Sequence, residues 1–305
     1  MRHFLQSDHW KSFQENLGRR SVSRQGEGWQ YTAFLETGRL STRLYAPYGP
    51  EAESEEALEQ ALHSLRTEAK ALGASFVRFE PRTLGSDELF ARLGAQRAAR
   101  VQPEATSVVD LTREADDIIS RMSPSSRNLY RNYANKGVSI RTTTDPAEID
   151  ILLGFLHEVA AHTGMKAHSD SYLRAQAELF FSQDCAKLYV AEFEGSPVVA
   201  CLIYDFDGVR YYAHAAAGYE HRNLSAGTSI VGQMIMDANA EGLKAFDLYG
   251  IWPAADSKTP HGGITKFKRS FGGDDLIYRG TWELPVNKLR YRLYRTIASR
   301  SRQRS

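Results

Sequence analysis

The sequence has few cysteines and no apolar run long enough to cross a membrane. Cys185 and Cys201 are the two cysteines among 305 residues, too few for a disulfide scaffold or a cysteine metal site. Each lies in or beside an apolar, strand-like run, so we predict two small buried hydrophobes. No window approaches the roughly 18 apolar residues that a membrane span needs. The first residues lack the apolar core of a signal peptide, and we therefore expect a cytoplasmic location.

Motifs of several large enzyme classes are also missing. The chain has no G-x-S-x-G elbow, no H-E-x-x-H pair and no G-x-x-x-x-G-K-[ST] phosphate loop. Its nine histidines do not fall at metal-ligand spacing, so we expect no metal site. These absences disfavour hydrolases, metalloenzymes and NTPases. They leave reactions in which positioning and electrostatics suffice.

Acidic residues are missing from the C-terminal end, although the whole chain has a formal net charge of only +1. No acid follows Glu283, whereas Lys288 and six arginines do. Such a tail favours a polyanion or a peripheral association with the inner membrane surface. The alternative is a solvated helix end.

Helix and strand patterns alternate along the chain, as is typical of mixed α/β sheets covered by helices. In the first half, a hairpin around Thr37-Gly38 precedes an amphipathic helix over 51–71 and a strand over 75–79. In the second half, a hairpin around Glu194-Gly195 precedes a helix over 226–240 and a strand that follows Gly242.

We interpret this order as an internal repeat of β-β-α-β units. It predicts two domains, one formed by residues 1–143 and 280–305 and the other by residues 144–279. The boundary is placed before Asp145, which is a good N-cap for the helix that follows.

The segment His261–Gly273, "HGGITKFKRSFGG", carries the most chemical information. We expect its glycine pairs to bracket a short helix with Lys266, Lys268 and Arg269 in the first turn and a half. Cations at a helix start oppose the helix dipole, which favours a functional use of their charge. The alternative is a surface helix whose lysines are solvated and whose phenylalanines anchor it to the core.

Several blocks occur in the order "FLQSDHW", "YAPYGP", "VVDLT", "NKGVSI", "FDLYGI" and "KFKRSFGG". Together they resemble the Fem family of peptidoglycan-bridge aminoacyltransferases over nearly the full chain, without the coiled-coil arm of some members. The resemblance implies two tandem GNAT-like (acetyltransferase-like) domains and no bound cofactor. It implies transfer from aminoacyl-tRNA to the stem-peptide amine of a peptidoglycan precursor, either UDP-MurNAc-pentapeptide or its lipid-linked form.

The resemblance also implies catalytic roles for two residues. The family's Phe-Lys pair falls on Phe267 and Lys268. Lys268 would stabilise the oxyanion of the tetrahedral intermediate and the charge that develops on the leaving tRNA hydroxyl. Phe267 would position the tRNA acceptor end, and nearby cations would contact the tRNA, namely Lys266, Arg269, Arg127 and Arg131.

The acceptor side transfers less closely from the family pattern. Tyr172 matches the family tyrosine, but His168 stands where an arginine is expected, and Lys166 is the nearest substitute. Lys11 lies beside the position of another family lysine. A family tyrosine on the third strand of the second half has Tyr212 and His214 beside its expected place.

Two aspartates are weaker candidates. The attacking amine must be neutral, so a nearby acceptor would help, and Asp247 and Asp110 could supply one. Both lie within apolar strand patterns, and a structural hydrogen-bonded role is the simpler interpretation.

Other functions stay open. An acyl-CoA-dependent N-acetyltransferase would hold pyrophosphate on the backbone of the turn "RNLSAG" (222–227), although Ser225 replaces its first glycine. A non-catalytic tRNA-binding protein would use Arg127, Arg131 and the C-terminal arginines. A Fem-like enzyme acting on an amine outside the cell wall is a third possibility.

Overall fold

A computed structural model of the chain describes residues 1–38, 41–254 and 260–302. The chain divides into two compact units. The N-terminal unit comprises residues 2–104 and 277–305, and the central unit comprises residue 1 and residues 105–276.

The first part of the N-terminal unit alternates strands with amphipathic helices. Its elements are α1 (Asp8–Asn16), β1 (Ser21–Gly26), β2 (Trp29–Thr37), β3 (Thr42–Ala46), β4 (Glu51–Ala52), α2 (Glu55–Ala71), β5 (Phe76–Phe79), α3 (Asp87–Leu93) and β6 (Gln96–Arg97).

The central unit follows without a long connection. Its elements are β7 (Ala105–Asp110), α4 (Ala115–Arg121), α5 (Pro124–Asn132), β8 (Val138–Thr143), α6 (Ile149–Thr163), α7 (Asp170–Ser182), β9 (Ala186–Phe193), β10 (Ser196–Phe206), β11 (Val209–Ala217), α8 (Ala226–Ala240), β12 (Ala245–Gly250), α9 (Pro260–Arg269) and β13 (Asp274–Ile277). The chain then adds β14 (Trp282–Pro285) and α10 (Lys288–Arg302) to the N-terminal unit.

The N-terminal sheet has the order β1-β2-β3-β5-β14-β6, with β4 paired to β2. Helix α2 covers it with Leu58, Leu62 and Leu65, which are fully buried. The helix begins at Glu55 rather than at 51 as predicted, because Glu51–Ala52 pair with β2 and Ser54 then caps the helix by accepting from the Ala57 N–H at 3.2 Å.

The central sheet has the order β13-β7-β12-β11-β10-β9-β8. Helix α8 packs on it, and Ile230, Met234 and Ile235 are fully buried in the core. In both units an antiparallel hairpin leads into a helix and then into a strand parallel to the hairpin's second strand: β2, β3, α2 and β5 in one, β10, β11, α8 and β12 in the other. The predicted fold class, two mixed α/β halves built on a repeated unit, is confirmed.

The division between the units lies after Glu104, whereas the sequence placed it near 143. The reason is strand pairing over long sequence distances. Strand β7 pairs antiparallel with β12, and β8 pairs antiparallel with β9, so both strands complete the central sheet. The C-terminal segment joins the N-terminal unit because β14 pairs with β5 and β6.

Among the helices in the described part of the chain, none is both long enough and apolar enough to cross a membrane.

A buried cation fastens the start of β11 to its neighbours. The guanidinium of Arg210 is fully buried and donates two hydrogen bonds to the Asp205 carboxylate, at 2.8 and 2.7 Å. It also donates to the Tyr189 hydroxyl at 3.0 Å and pairs with Glu241 at the end of α8. This network ties β9, β10, β11 and α8 together.

We expect Arg210→Met to lower the free energy of unfolding by about 3 kcal/mol, because it leaves the acidic partners without their buried cation. Urea denaturation at pH 7 measures the loss. Arg174→Met is the matched control, since Arg174 pairs with Asp150 at the surface, where an ion pair contributes about 0–1 kcal/mol. Equal effects of the two substitutions would contradict this account.

Candidate functional site

The three cations of the "TKFKR" segment lie in the last turn of α9. The expectation that they crowd the first turn is wrong, because the helix begins at Pro260 and includes the first glycine pair. Cations at a helix C-terminus interact favourably with the helix dipole, so the position of these three cations does not by itself indicate a functional use of their charge. Of the three, Lys266 and Arg269 are exposed, whereas Lys268 is half-buried.

Strands β11 and β12 separate next to this helix. Their parallel pairing covers only Val209 to Tyr211 on β11 and Ala245 to Asp247 on β12. Beyond these residues β12 carries an irregularity in its pairing with β7, between Asp247 and Gly250. Within it Tyr249 has a φ of +61°, a left-handed conformation that a bulky residue rarely adopts. The backbone of β12 therefore turns where the two strands part.

Asp247 holds this turn in place. Its buried carboxylate accepts from the Tyr249 N–H at 2.7 Å and from the hydroxyl of Thr106 on β7. A carboxylate of residue i that accepts from the N–H of residue i+2 is the usual device by which Asp stabilises a local turn. The carboxylate thus has a structural role as predicted by the simpler interpretation, and it adds a negative charge to the site.

Lys268 reaches into the region where the strands separate. Its ammonium donates to the Gly250 carbonyl at 2.9 Å and lies 5.9 Å from the ring centroid of Tyr212 on β11. Burial lowers the pKa of Lys268 to about 8, while the negative charge of Asp247 raises it. The group is therefore mostly an ammonium at pH 7, but it gives up its proton more readily than an exposed lysine.

A row of rings lies on β11 beyond Tyr212 but on the other face of the sheet, because a bulge pairs Tyr212 with Ile203 and His214 with Leu202. His214 lies two residues further on β11, and its ring centroid is 5.7 Å from that of His168. His168 precedes α7 and stacks on Tyr172 in the first turn of that helix, with centroids 4.7 Å apart. Tyr204 on β10 faces the His214 imidazole, with ring centroids 6.3 Å apart. The fold thus brings Lys268 next to Tyr212, and it separately brings together three acceptor-side candidates, His214, His168 and Tyr172.

This row of rings is uncharged at neutral pH. Burial, together with the nearby His168, lowers the pKa of His214 to about 4, and burial of part of its ring also lowers the pKa of His168. Burial raises the pKa of Tyr212 and Tyr204 well above the usual value. Lys268 supplies the positive charge beside Tyr212, and neither imidazole of the ring row replaces a permanently charged arginine.

The remaining candidates lie elsewhere on their units. Lys11 is on α1 of the N-terminal unit, and Lys166 is exposed on the loop before α7. Arg127 and Arg131 are on α5, where Arg127 donates to the Ser120 carbonyl at 2.8 Å. Arg269 forms an exposed ion pair with Asp275.

Phe267 and Asp110 have structural surroundings. The Phe267 ring packs on the core of the central unit, 5.2 Å from that of Phe271. Asp110 lies at the opposite end of the β7–β12 pair from Gly250. Its carboxylate accepts from the Thr112 hydroxyl and N–H, and these bonds lower the pKa of Asp110. This carboxylate is therefore no neighbour of the Lys268 ammonium.

Several residues of the site are not found by sequence reasoning. The Gly250 carbonyl is a backbone group, and Tyr249 is a functional candidate only because of its conformation. Tyr204 donates to the buried amide oxygen of Gln176 at 2.7 Å, behind the rings. The one available signal is the run Asp-Leu-Tyr-Gly at the end of a buried strand, which allows an aspartate-stabilised turn.

The turn that would hold an acyl-CoA pyrophosphate has a serine where such a turn uses a glycine. Ser225 has a φ of +54°, the left-handed conformation that glycine adopts without strain, and it precedes α8 directly. The backbone shape of a glycine turn is therefore kept, but a side chain occupies the position where phosphate oxygens need close approach.

Two further features define the chemistry available. In the described ranges, no three His, Cys, Asp or Glu side chains are grouped so that they could hold a metal ion. The N-terminal unit has a polar cavity of about 490 Å³, lined among others by Gln6, Arg24, Gln30 and Glu51. Gln6 is fixed there by backbone partners on both sides, since it donates to Thr32 and Pro47 carbonyls and accepts from the Thr32 N–H.

Comparison with known proteins supports the fold and the resemblance. Residues 120–269, which include the ring row and Lys268, match the acetyltransferase (GNAT) domain. An 89-residue segment is 29% identical to the aminoacyltransferase FemA of Staphylococcus epidermidis, over 29% of this chain and 21% of that protein. The chain thus matches about a fifth of the length of that relative.

Solved structures match over nearly the whole chain. The crystal structure of FemX has a TM-score of 0.83 at 15% identity, covering 95% of this chain and 94% of that one. A tandem GNAT protein from the clavulanic acid biosynthesis pathway has a TM-score of 0.56 at 14% identity, covering 93% and 90%. At these identities the similarity shows the fold alone. For the fold, the resemblance found in the sequence is confirmed.

The lowered pKa of Lys268 predicts a stability effect with a defined pH dependence. Below pH 8 the folded state must hold an ammonium that the unfolded chain holds at less cost, so Lys268→Met should raise the unfolding midpoint. From pH 8 to about 10.5 the unfolded chain binds more protons, so the wild type gains stability and the difference shrinks. Urea midpoints from pH 7 to 10.5 measure this. Lys266→Met, at an exposed site of the same helix, should show no such trend, and a matching trend would refute the assignment.

Proposed function

We propose that this chain, which has the tandem acetyltransferase-like fold of the Fem family, is an acyltransferase of peptidoglycan bridge formation. Its donor in this proposal is aminoacyl-tRNA, which places the reaction in the cytoplasm, and its acceptor is the stem-peptide amine of a peptidoglycan precursor. No bound cofactor is required. The observation that carries the proposal is the Lys268 ammonium, held by the Gly250 carbonyl where β11 and β12 separate.

The reaction needs what this ammonium offers. The neutral acceptor amine attacks the ester carbon of the donor, a C–N bond forms, and the carbonyl electrons move to oxygen. Collapse of the tetrahedral intermediate breaks the C–O bond to the tRNA ribose, and the proton of the amine finally resides on the leaving hydroxyl. Lys268 keeps two N–H groups beside its bond to Gly250, one for the oxyanion and one for the leaving oxygen.

The pKa of this lysine suits both tasks. A value of about 8 keeps the charge at neutral pH and still allows the proton to be passed to the leaving oxygen. Removal of one preorganised donor of this kind costs about 3–4 kcal/mol in comparable sites. The reaction therefore needs no metal and no covalent intermediate.

The acceptor and the tRNA would contact the other candidates. We assign the acceptor to Tyr212 and to the row of His214, His168 and Tyr172, whose uncharged rings can stack and hydrogen-bond without repelling an amine. Lys166 and Lys11 are the cations proposed for precursor phosphates. For the tRNA we propose contacts from Phe267 and from the cations Lys266, Arg269, Arg127 and Arg131.

Lys268→Met should lower kcat by about 10²–10³-fold, because a donor to the developing oxyanion is lost. The assay incubates the chain with a mixture of charged tRNAs and UDP-MurNAc-pentapeptide, or its lipid-linked form, and detects the gain of one amino acid by mass spectrometry. Lys244→Met is the control, since it removes the same charge from an exposed position to which the proposal assigns no contact.

Other results would select another function. Saturable acetyl-CoA binding in calorimetry, with acetylation of an amine, would make the chain an N-acetyltransferase. Loss of tRNA binding by Lys268→Met without any turnover in the wild type would make it a tRNA-binding protein. Transfer to peptide amines but not to wall precursors would keep the chemistry and change the acceptor.

The alkaline side of the pH–rate profile tests the role of Asp247. Its negative charge raises the pKa of Lys268, so Asp247→Asn should lower that pKa further and move the alkaline decline in kcat to lower pH. Asp110→Asn makes the same change at the far end of β7 and should leave the decline in place. An alkaline limb that does not move in Asp247→Asn would remove Lys268 as the titrating group.

A further inference from the structure

Helix α10 is fastened to the N-terminal sheet by one face only. The Tyr291 hydroxyl lies 3.1 Å from the buried Glu283 carboxylate, and the Tyr294 hydroxyl accepts from Arg78 at 2.9 Å. Both rings pack on Phe76, with centroids 5.3 and 4.8 Å away. These contacts fix the orientation of the helix, and with it the direction of its opposite face.

The opposite face is apolar in its middle and basic at its edges. Leu289 and Leu293, one helical turn apart, are 77% and 63% exposed. With 3.6 residues per turn, Lys288 and Arg292 lie along one side of this leucine pair and Arg290 along the other. All three cations are exposed. We call these five residues the α10 outer face.

No acid balances this face along the chain. Glu283 is buried at 1% exposure under the tyrosines, and no Asp or Glu follows it in the sequence. Single exposed leucines are ordinary on protein surfaces. Here two exposed leucines lie one helical turn apart, with cations on both sides, on a helix whose other face is packed on the sheet. Together they form a continuous surface that is apolar in its middle and positively charged at its edges.

We propose that the α10 outer face binds the surface of an anionic lipid bilayer. Its cations would lie at the level of the lipid phosphates, and the two leucines would enter the boundary between headgroups and acyl chains. A nucleic acid would use the cations but would gain nothing from exposed leucines, so the leucines favour lipid over tRNA. The proposal concerns the N-terminal unit and does not depend on the transferase reaction.

Two leucines and a few cations make the binding reversible. Each cation near an anionic surface contributes about a fivefold gain in partitioning, which falls as salt screens the charge. The leucines add a contribution that salt does not remove. Such a surface would bring the chain to a lipid-linked substrate without anchoring it.

Vesicle co-sedimentation of the full chain tests this. The probes are 100 nm vesicles of phosphatidylcholine and phosphatidylglycerol at a ratio of seven to three, with pure phosphatidylcholine vesicles as the neutral reference. We expect binding to the anionic vesicles only, reduced at least about fivefold by the double substitution Leu289→Gln with Leu293→Gln. Leu17→Gln, at an exposed leucine after α1, is the matched control and should bind as wild type.

A second double variant tests the contribution of the cations. Lys288→Gln with Arg292→Gln should weaken vesicle binding by about 25-fold, whereas Lys70→Gln with Lys136→Gln removes the same charge elsewhere and should have a small effect. Unchanged thermal midpoints show that the exposed substitutions leave the fold intact. The proposal is overturned if the wild-type chain does not bind anionic vesicles or if the double leucine variant binds them as wild type does. It is also overturned if Lys288→Gln with Arg292→Gln lowers tRNA binding but not vesicle binding.

Discussion

The candidate site of the central unit is built around one hydrogen bond, from the Lys268 ammonium to the Gly250 carbonyl. That bond is possible only because β11 and β12 stop pairing after Tyr211 and Asp247, so that a backbone carbonyl of β12 is free of its parallel neighbour. An ammonium removed from bulk water needs such a partner, because desolvation without one is expensive. The separation of two strands and the burial of one lysine are therefore a single structural feature.

The surrounding core keeps this feature rigid. Asp247 binds the Tyr249 N–H and the Thr106 hydroxyl, which holds a left-handed residue in the middle of a buried strand region. On the other side, the buried Arg210 locks the first part of β11 to β10 and α8. The strands are thus firmly held up to the point where they part. A reacting centre that relies on preorganised charge needs this kind of support.

Charge is distributed simply around the site. The rings beyond Tyr212 are neutral at pH 7 because burial disfavours charged His and Tyr forms alike. A positive charge at Lys268 next to the neutral Tyr212 ring suits the transfer of an acyl group between an ester and an amine, in which negative charge develops on oxygen only. The resemblance to Fem transferases and the geometry point to the same reaction class, though they rest on different observations.

From the sequence alone, local periodicity determined the helices α2 and α8, the hairpins and the strands that follow, because amphipathic spacing and turn residues act over a few positions. Long-range pairing decided the rest. Strands β7 and β8 join the central sheet through partners about 50 to 140 residues away, which no local pattern reveals. The residues of α9 were predicted as helical, but its start at Pro260 put the cations in the last turn. Lys268 was identified by resemblance, whereas its burial and lowered pKa exist only because tertiary packing brings Gly250 and Asp247 to its side chain.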